Sequence, residues 1–331
     1  MLDLSTNYLG FKLPHPLISG ACPLADTLDG VRRLEDGGVS AIVLRSLFEE
    51  QLSAEAVATH RATDLHADAH GEAQSYFPSA EEFVLGPHEY LEHVRRVKET
   101  VDIPVIASLN GSTLGRWIEY AKLIQVAGAD ALELNVFYVP TRVDETSAVI
   151  ERRAIEMVAE IRKVVKIPLA VKLSPFYTAF GNFAAALESA GADGLVIFNR
   201  FYEPDINVEQ LEYESQLHLS QSSELLLRLR WLALLSGQLK ASLAVTGGVH
   251  TAVDSIKAVM AGAHCVQLVS SLLRGGAERV HVLLREMRAW MQKFEYESLK
   301  QMLGSMNAQR CPDPAALARG NYIHMLQTWG A

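Results

Sequence analysis

Cysteine is scarce in this chain, and positive charge does not dominate it. The 331 residues include only three cysteines, Cys22, Cys265 and Cys311, which are far apart and form no C-x-x-C pair. That number and spacing support no disulfide framework, zinc site or iron–sulfur cluster. The formal net charge of −9 argues against nucleic acid and anionic membrane surfaces as partners.

Long apolar runs are also missing. No stretch approaches the roughly 18–20 apolar residues that a membrane span needs. The first ten residues, MLDLSTNYLG, have neither the basic nor the apolar region of a signal peptide. We therefore expect a cytoplasmic protein that binds neither membrane nor nucleic acid.

What the chain does contain is a regular alternation of apolar strands and amphipathic helices. Such alternation predicts an α/β fold with a parallel sheet, and eight strands favour a closed TIM (β/α)₈ barrel over an open sheet. The predicted strands are Leu17–Gly20, Ala41–Leu44, Val105–Leu109, Ala131–Asn135, Leu169–Leu173, Gly194–Phe198, Leu243–Thr246 and Cys265–Leu268. The long helix Leu272–Phe294 is expected after the last strand.

Repeated junctions support one continuous barrel domain over residues 1–331. Helices end in Ala-Gly-Ala before the fourth, sixth and eighth strands, where glycine suits a helix C-terminus. A hairpin is predicted before the first strand, and a helical tail from about residue 295. Long loops are predicted after the second strand (Ser46–Pro87) and the sixth (Asn199–Ser222). The second-strand loop holds His60, His66 and His70, whose loose spacing does not predict a metal site.

The stretch Val245–Gly276 carries two signals for phosphate binding. Gly247-Gly248 ends the seventh strand and Val269-Ser270 follows the eighth, each before a helix. In a (β/α)₈ barrel the loops after these two strands commonly bind a phosphate group. The alternative is that Gly247-Gly248 is only a tight turn, because a bare Gly-Gly is a weak motif.

Polar residues collect at the predicted C-terminal ends of the other strands, where barrels keep their functional groups. Lys172 lies within an apolar strand, where an unpaired charge is costly. It therefore needs a ligand, or else a structural ion pair, for example with Glu133.

Four ordered motifs resemble the cytosolic, FMN-dependent dihydroorotate dehydrogenases and the FMN domain of dihydropyrimidine dehydrogenase. They are Glu133-Leu134-Asn135, Val171–Pro175, Thr246–Val249 and Gly262–Leu268. The resemblance covers Leu4 to about Gly276. It implies oxidation of dihydroorotate to orotate in pyrimidine biosynthesis, FMN at the barrel mouth and a homodimer.

The resemblance also implies roles for individual residues. The FMN phosphate would lie on Gly247, Gly248, Val269 and Ser270. Lys172 would lie near flavin N1/O2 and stabilise the charge that forms on reduction. The other residues expected to bind the cofactor or substrate are Gly20, Ala21, Cys22, Arg45, Ser46, Asn110, Asn135 and Asn199.

Several positions depart from the family pattern. Arg45 replaces a lysine, and Cys22 replaces a glycine. The loop that carries a Cys or Ser base reads Val136–Pro140, so the base position falls on Tyr138 and the substrate asparagine is missing. Tyrosine, with a reference pKa of about 10, is a poor base near neutral pH unless its neighbours lower that value. The Asn-rich substrate loop is not recognisable between Arg61 and Pro87.

Three interpretations stay open. The chain is an FMN-dependent oxidoreductase acting on dihydroorotate or on another small cyclic substrate. Alternatively, it is a flavin-binding barrel without turnover. In the third, it is a flavin-free phosphate-binding barrel, such as an aldolase with Lys172 as Schiff-base lysine.

Overall fold

A computed structural model describes residues 2–48, 87–110, 115–200, 203–214, 216–319 and 327–328. Eight parallel strands close into a barrel, so the predicted fold class is confirmed. In chain order they are β3 (Leu17–Ser19), β4 (Ile42–Phe48), β5 (Val105–Asn110), β6 (Ala131–Asn135), β7 (Leu169–Leu173), β8 (Gly194–Ile197), β11 (Ser242–Thr246) and β12 (Cys265–Leu268).

Helices surround this barrel. They are α1 (Leu28–Asp36), α2 (Pro87–Thr100), α3 (Gly115–Val126), α4 (Ser147–Val164), α5 (Phe180–Ser189), α6 (Leu225–Leu235), α7 (Ala252–Ala261), α8 (Ser270–Gly275), α9 (Arg279–Lys293), α10 (Leu299–Met302) and α11 (Pro314–Arg319). The expected single helix from Leu272 to Phe294 is wrong. It is divided into α8 and α9 because Gly276 adopts a φ of 70°, a left-handed conformation that ends the first helix.

Two short antiparallel hairpins complete the described structure. Strands β1 (Thr6–Tyr8) and β2 (Phe11–Leu13) form the predicted N-terminal hairpin. It closes the bottom of the barrel, because Tyr8, Leu9 and Leu13 pack against inward-facing strand residues. Strands β9 (Asp205–Asn207) and β10 (Glu212–Glu214) form a second hairpin within the long loop after β8. Most of the predicted loop after the second strand, with its three histidines, lies outside the described residues.

Side chains alternate in and out along the barrel strands, as the period of two requires. Ala131 on β6, Ala170 on β7 and Cys265 on β12 all belong to the apolar cluster inside the barrel. The same alternation therefore turns Glu133, Asn135, Lys172 and Gln267 inward, higher in the barrel. Polar groups thus begin one layer below the C-terminal mouth.

One strand differs from its predicted ends. Strand β4 runs to Phe48, and its register against β5 shifts between Val43 and Ser46. Arg45 and Ser46 therefore lie within the strand, not after it. Such irregularities re-aim side chains near functional sites. No helix among those described is long and apolar enough to cross a membrane.

Candidate active site

A cavity of about 430 Å³ opens at the C-terminal ends of the strands. Its described lining contains the cationic side chains Lys172, Arg45, Arg200 and Arg228, and no carboxylate. The cavity therefore favours an anionic ligand. The predicted residues that line it are Ala21, Cys22, Arg45, Ser46, Asn110, Asn135, Lys172, Asn199, Gly247, Val269 and Ser270.

One end of the cavity is formed where β11 and β12 finish. Gly247 has a φ of 82°, and a Cβ at this position would lie 2.8 Å from Arg228 Nη2. Only glycine brings the backbone this close to the guanidinium without strain. Val269 and Ser270 lie beside it, after the neighbouring strand β12 and at the start of α8, where the first backbone N–H groups have no partner within the helix.

A segment before α6 covers this end. The backbone N–H of Ser220 donates to Ser270 Oγ at 3.0 Å, and Ser220 Oγ accepts from Gly248 N at 3.2 Å. Gly248 is thus already hydrogen-bonded, and it is not among the described residues that line the cavity. Leu217, Leu219 and Ser220 contribute to the lining instead.

A buried ion pair forms the floor. Lys172 Nζ lies 3.5 Å from Glu133 Oε1, and both side chains are almost fully buried. Glu133 Oε2 accepts a hydrogen bond of 2.6 Å from Gln267 Nε2. The structural pair with Glu133 is therefore present, and Lys172 also lines the cavity.

Amide and hydroxyl groups form the wall beside this pair. Asn199 Nδ2 donates to Asn135 Oδ1 at 2.9 Å. On the other side, Ser46 Oγ lies 2.8 Å from Ser108 Oγ. The Tyr90 hydroxyl bonds the backbone of Ser108 in both directions, as donor and as acceptor, so helix α2 fixes this part of β5.

The end of β3 supplies a small-residue wall. Gly20 lies behind the lining, and a Cβ there would meet Val269 Cγ2 at 2.7 Å. Cys22 is buried and lies 3.8 Å from Ser19 Oγ. Burial raises the pKa of the Cys22 thiol, so it is protonated near neutral pH.

Arg45, on the neighbouring strand β4, is half-exposed and forms a 2.8 Å ion pair with Asp26.

Tyr138 is not brought to this cavity. Its hydroxyl donates to Glu145 Oε2 at 2.6 Å, and the Arg153 guanidinium lies over its ring, 4.8 Å from the centroid. The hydrogen bonds from Tyr138 and Arg153 hold the pKa of Glu145 below its ordinary value. Phe137, the residue before it, lines the cavity instead.

Sequence comparison identifies the family. The family model described as dihydroorotate dehydrogenase matches residues 85–291, more than half of the chain. The chain belongs to the dihydroorotate dehydrogenase family. Its members are flavin-dependent oxidoreductases that act on CH–CH bonds. This membership favours oxidoreductase chemistry over the aldolase interpretation of Lys172.

Named relatives in the dihydroorotate dehydrogenase family are distant. The chain is 28% identical over 208 residues to the catalytic subunit of dihydroorotate dehydrogenase B (NAD(+)) of Shouchella clausii, covering 61% of this chain and 68% of that protein. It is 26% identical to the fumarate-type dihydroorotate dehydrogenase A of Lactobacillus helveticus, over 62% and 68% of the two chains. A B-type catalytic subunit of Endomicrobium trichonymphae is 23% identical over 93% and 98%.

Some lining residues of this dihydroorotate dehydrogenase family member were not predicted. Arg228 had a readable signal, because its spacing from Leu225 and Leu232 places it on the buried face of α6. Phe137 lies in the Val136–Pro140 loop, directly before Tyr138, to which the family motif assigns the base position. Three others lie at or directly after strand ends, namely Phe48, Phe198 and Thr246. The rest depend on how the segments after the strands fold over the mouth: Pro23, Arg200, Leu217, Leu219, Ser220 and Leu273. Among the described residues, no group of three or more His, Cys, Asp or Glu side chains could hold a metal ion.

Proposed function

We propose that this protein is an FMN-dependent dehydrogenase that oxidises dihydroorotate to orotate. The observation that carries the proposal is the pairing of a glycine-lined, arginine-bearing cavity end with a buried lysine on the floor of the same cavity. A flavin mononucleotide combines a phosphate with a ring that gains negative charge when reduced. The residues present suit both parts.

The roles divide along the cavity. Gly247, Val269 and Ser270 would hold the phosphate through backbone N–H groups, with Gly248 supporting them from behind. Bound FMN would supply the hydride-accepting ring. Lys172 would place positive charge near N1/O2, and this stabilises the developing negative charge in a site shielded from water.

The remaining wall would orient the ring and substrate. Asn135 and Asn199 fix each other through their side-chain hydrogen bond and offer their remaining amide groups to the cavity. Ala21 and Cys22 would pack on the ring, and Ser46 and Asn110, on the next two strands β4 and β5, would donate or accept hydrogen bonds. Arg45 keeps the positive charge of the family lysine but offers a planar, two-pronged donor.

A second candidate function has a specific observation in its favour. Phe137 occupies the cavity wall while the Tyr138 hydroxyl is held by Glu145. Among the described residues, the loop that carries the family base therefore places no proton acceptor in the cavity lining, which favours another small cyclic substrate.

Anaerobic addition of dihydroorotate to the FMN-loaded protein separates the two candidates. We expect loss of the oxidised flavin absorbance within seconds to minutes. If dihydroorotate leaves the absorbance unchanged while a different cyclic reductant removes it, the second candidate replaces the first. If no member of a broad panel of reductants removes it, a flavin-binding barrel without turnover replaces both.

A further inference from the structure

Helix α6 carries a buried arginine that the family resemblance did not assign. The helix reads LLLRLRWLALL, and Arg228 is only 7% exposed although the rest of its face is apolar. Burying a charge is costly unless it is paired and hydrogen-bonded. A buried arginine at this position therefore needs hydrogen bonds and a partner of opposite charge.

The hydrogen bonds of Arg228 go to neutral groups. Its Nε donates to the backbone carbonyl of Thr246 at 2.5 Å, and its Nη1 donates to that of Glu224 at 2.6 Å. The Glu224 carboxylate is engaged elsewhere, because it accepts from the backbone N–H of Gln221. Among the described residues, no carboxylate lies within ion-pair distance of the guanidinium.

The third nitrogen faces the cavity end. The two carbonyls fix the guanidinium plane, and Nη2 then lies beside Gly247, which lines the cavity together with Arg228. Burial lowers the pKa of Arg228, and nearby Arg200 acts in the same direction, although Glu224 opposes it. Arg228 thus places a fixed positive charge at the end where β11 stops, with no ion-pair contact to a carboxylate among the described residues.

We infer that Arg228 is the counter-ion of the ligand's terminal phosphate and makes the cavity select FMN over riboflavin. The inference rests on the proposed function and names a further residue for it. Backbone N–H groups alone recognise an anion weakly, whereas a charge-assisted hydrogen bond from a held guanidinium is about twice as strong as a neutral one. The alternative is that Arg228 only clamps Thr246 and Glu224 together.

Titration of the apoprotein with FMN and with riboflavin tests the inference without any turnover. In the Arg228→Met and Arg228→Gln variants we expect FMN binding to weaken by about tenfold to a hundredfold, the range for a charged hydrogen bond. Riboflavin binding should stay within about threefold, which also shows that the variant is folded. The FMN affinity of Arg228→Lys, which keeps the charge, should lie between those of the wild type and the neutral variants. Arg230→Met, on the exposed face of α6, should bind FMN as tightly as the wild type.

Two outcomes overturn the inference alone. Either the wild type binds FMN and riboflavin equally well, or both neutral variants lose FMN and riboflavin affinity in the same proportion, as a structural clamp requires. If the neutral variants do not fold, Arg228→Lys decides: an FMN-to-riboflavin affinity ratio below that of the wild type supports the role of the guanidinium, and a ratio equal to that of the wild type overturns it. A wild type that binds neither flavin overturns the proposed function as well.

Discussion

Lys172 Nζ lies 3.5 Å from Glu133 Oε1 on the floor of the cavity, and Gln267 holds the other carboxylate oxygen. The pair joins two neighbouring strands, β6 and β7, at the level where the barrel interior changes from apolar to polar. This ion pair stabilises a lysine that is buried inside the barrel and still lines the ligand cavity. Its charge is balanced from below, and its remaining N–H groups point to the cavity that it lines.

Breaking this pair from one side should destabilise the protein. Lys172→Met leaves the Glu133 carboxylate buried without a counter-charge, so we expect the free energy of unfolding to fall by about 3–5 kcal/mol. The double variant Lys172→Met/Glu133→Gln should recover most of that loss, since no unpaired charge remains. Urea unfolding of the apoproteins measures both, and a double variant as unstable as the single one contradicts the account.

Removing the Tyr138 hydroxyl tests the general-base role that the sequence predicted for it. Because the hydroxyl is bound to Glu145 outside the cavity lining, we expect Tyr138→Phe to leave the rate of flavin reduction within about threefold, a change of under 1 kcal/mol in the barrier. Stopped-flow absorbance measures this rate. A loss of about a hundredfold or more, the usual effect of removing a general base, restores Tyr138 as the proton acceptor.

Acid should weaken the bottom of the barrel through His15. Burial lowers the pKa of His15 to about 4 from 6.5, and its Nδ1 accepts a hydrogen bond from Leu17 N at 3.3 Å. The unfolded chain therefore binds a proton first as pH falls, so stability is complete above about pH 6.5 and is lost between there and about pH 4.

The lowering of the His15 pKa from 6.5 to about 4 corresponds to a loss of about 3 kcal/mol in the free energy of unfolding at low pH. Chemical unfolding at several pH values measures this slope. His15→Asn, which keeps an acceptor but does not titrate, should reduce it, while His218→Asn at an exposed position should not. An unchanged slope in His15→Asn means that other groups cause the acid sensitivity.

A side chain at Gly247 should damage the cavity end. Gly247→Ala places a Cβ 2.8 Å from Arg228 Nη2 in a left-handed backbone conformation, so we expect a loss of stability of about 1–2 kcal/mol and weaker FMN binding. Gly181→Ala is the matched control, since its Cβ meets nothing within 4 Å and its φ is ordinary. Thermal melts and FMN titration compare them. Equal behaviour of the two variants contradicts the geometry described for Gly247.

The Cys22 thiol should be unreactive at moderate pH. Because burial raises its pKa, little thiolate forms at pH 8, and alkylation needs the thiolate. Mass spectrometry after iodoacetamide treatment should show modification of the half-buried Cys311 before Cys22. Rapid labelling of Cys22 at pH 7 would contradict the expectation that its thiol is unreactive.

The barrel could be predicted from the sequence because its strands are short apolar runs separated by glycine and proline residues. β6, β7 and β12 match their predicted bounds. The period of two along these strands also placed Lys172 and Glu133 within reach of each other. Local sequence pattern therefore predicts side-chain positions wherever neighbouring strands fix the backbone geometry.

Loops were less predictable because their conformation depends on distant contacts. Tyr138 was assigned by its place in a motif, yet Glu145 and Arg153 on the far side of the loop decide where its hydroxyl points. Gly248 was expected beside Gly247, but Ser220 binds its N–H. Gly275-Gly276 marks the division of the predicted last helix, whereas the apolar periodicity on both sides favours one continuous helix.

The visible absorption spectrum of the purified protein, followed by identification of any flavin released by acid, tests the central claim most directly. We expect a yellow protein that has the spectrum of oxidised flavin and releases one FMN per chain. A colourless protein that takes up no FMN from solution contradicts it.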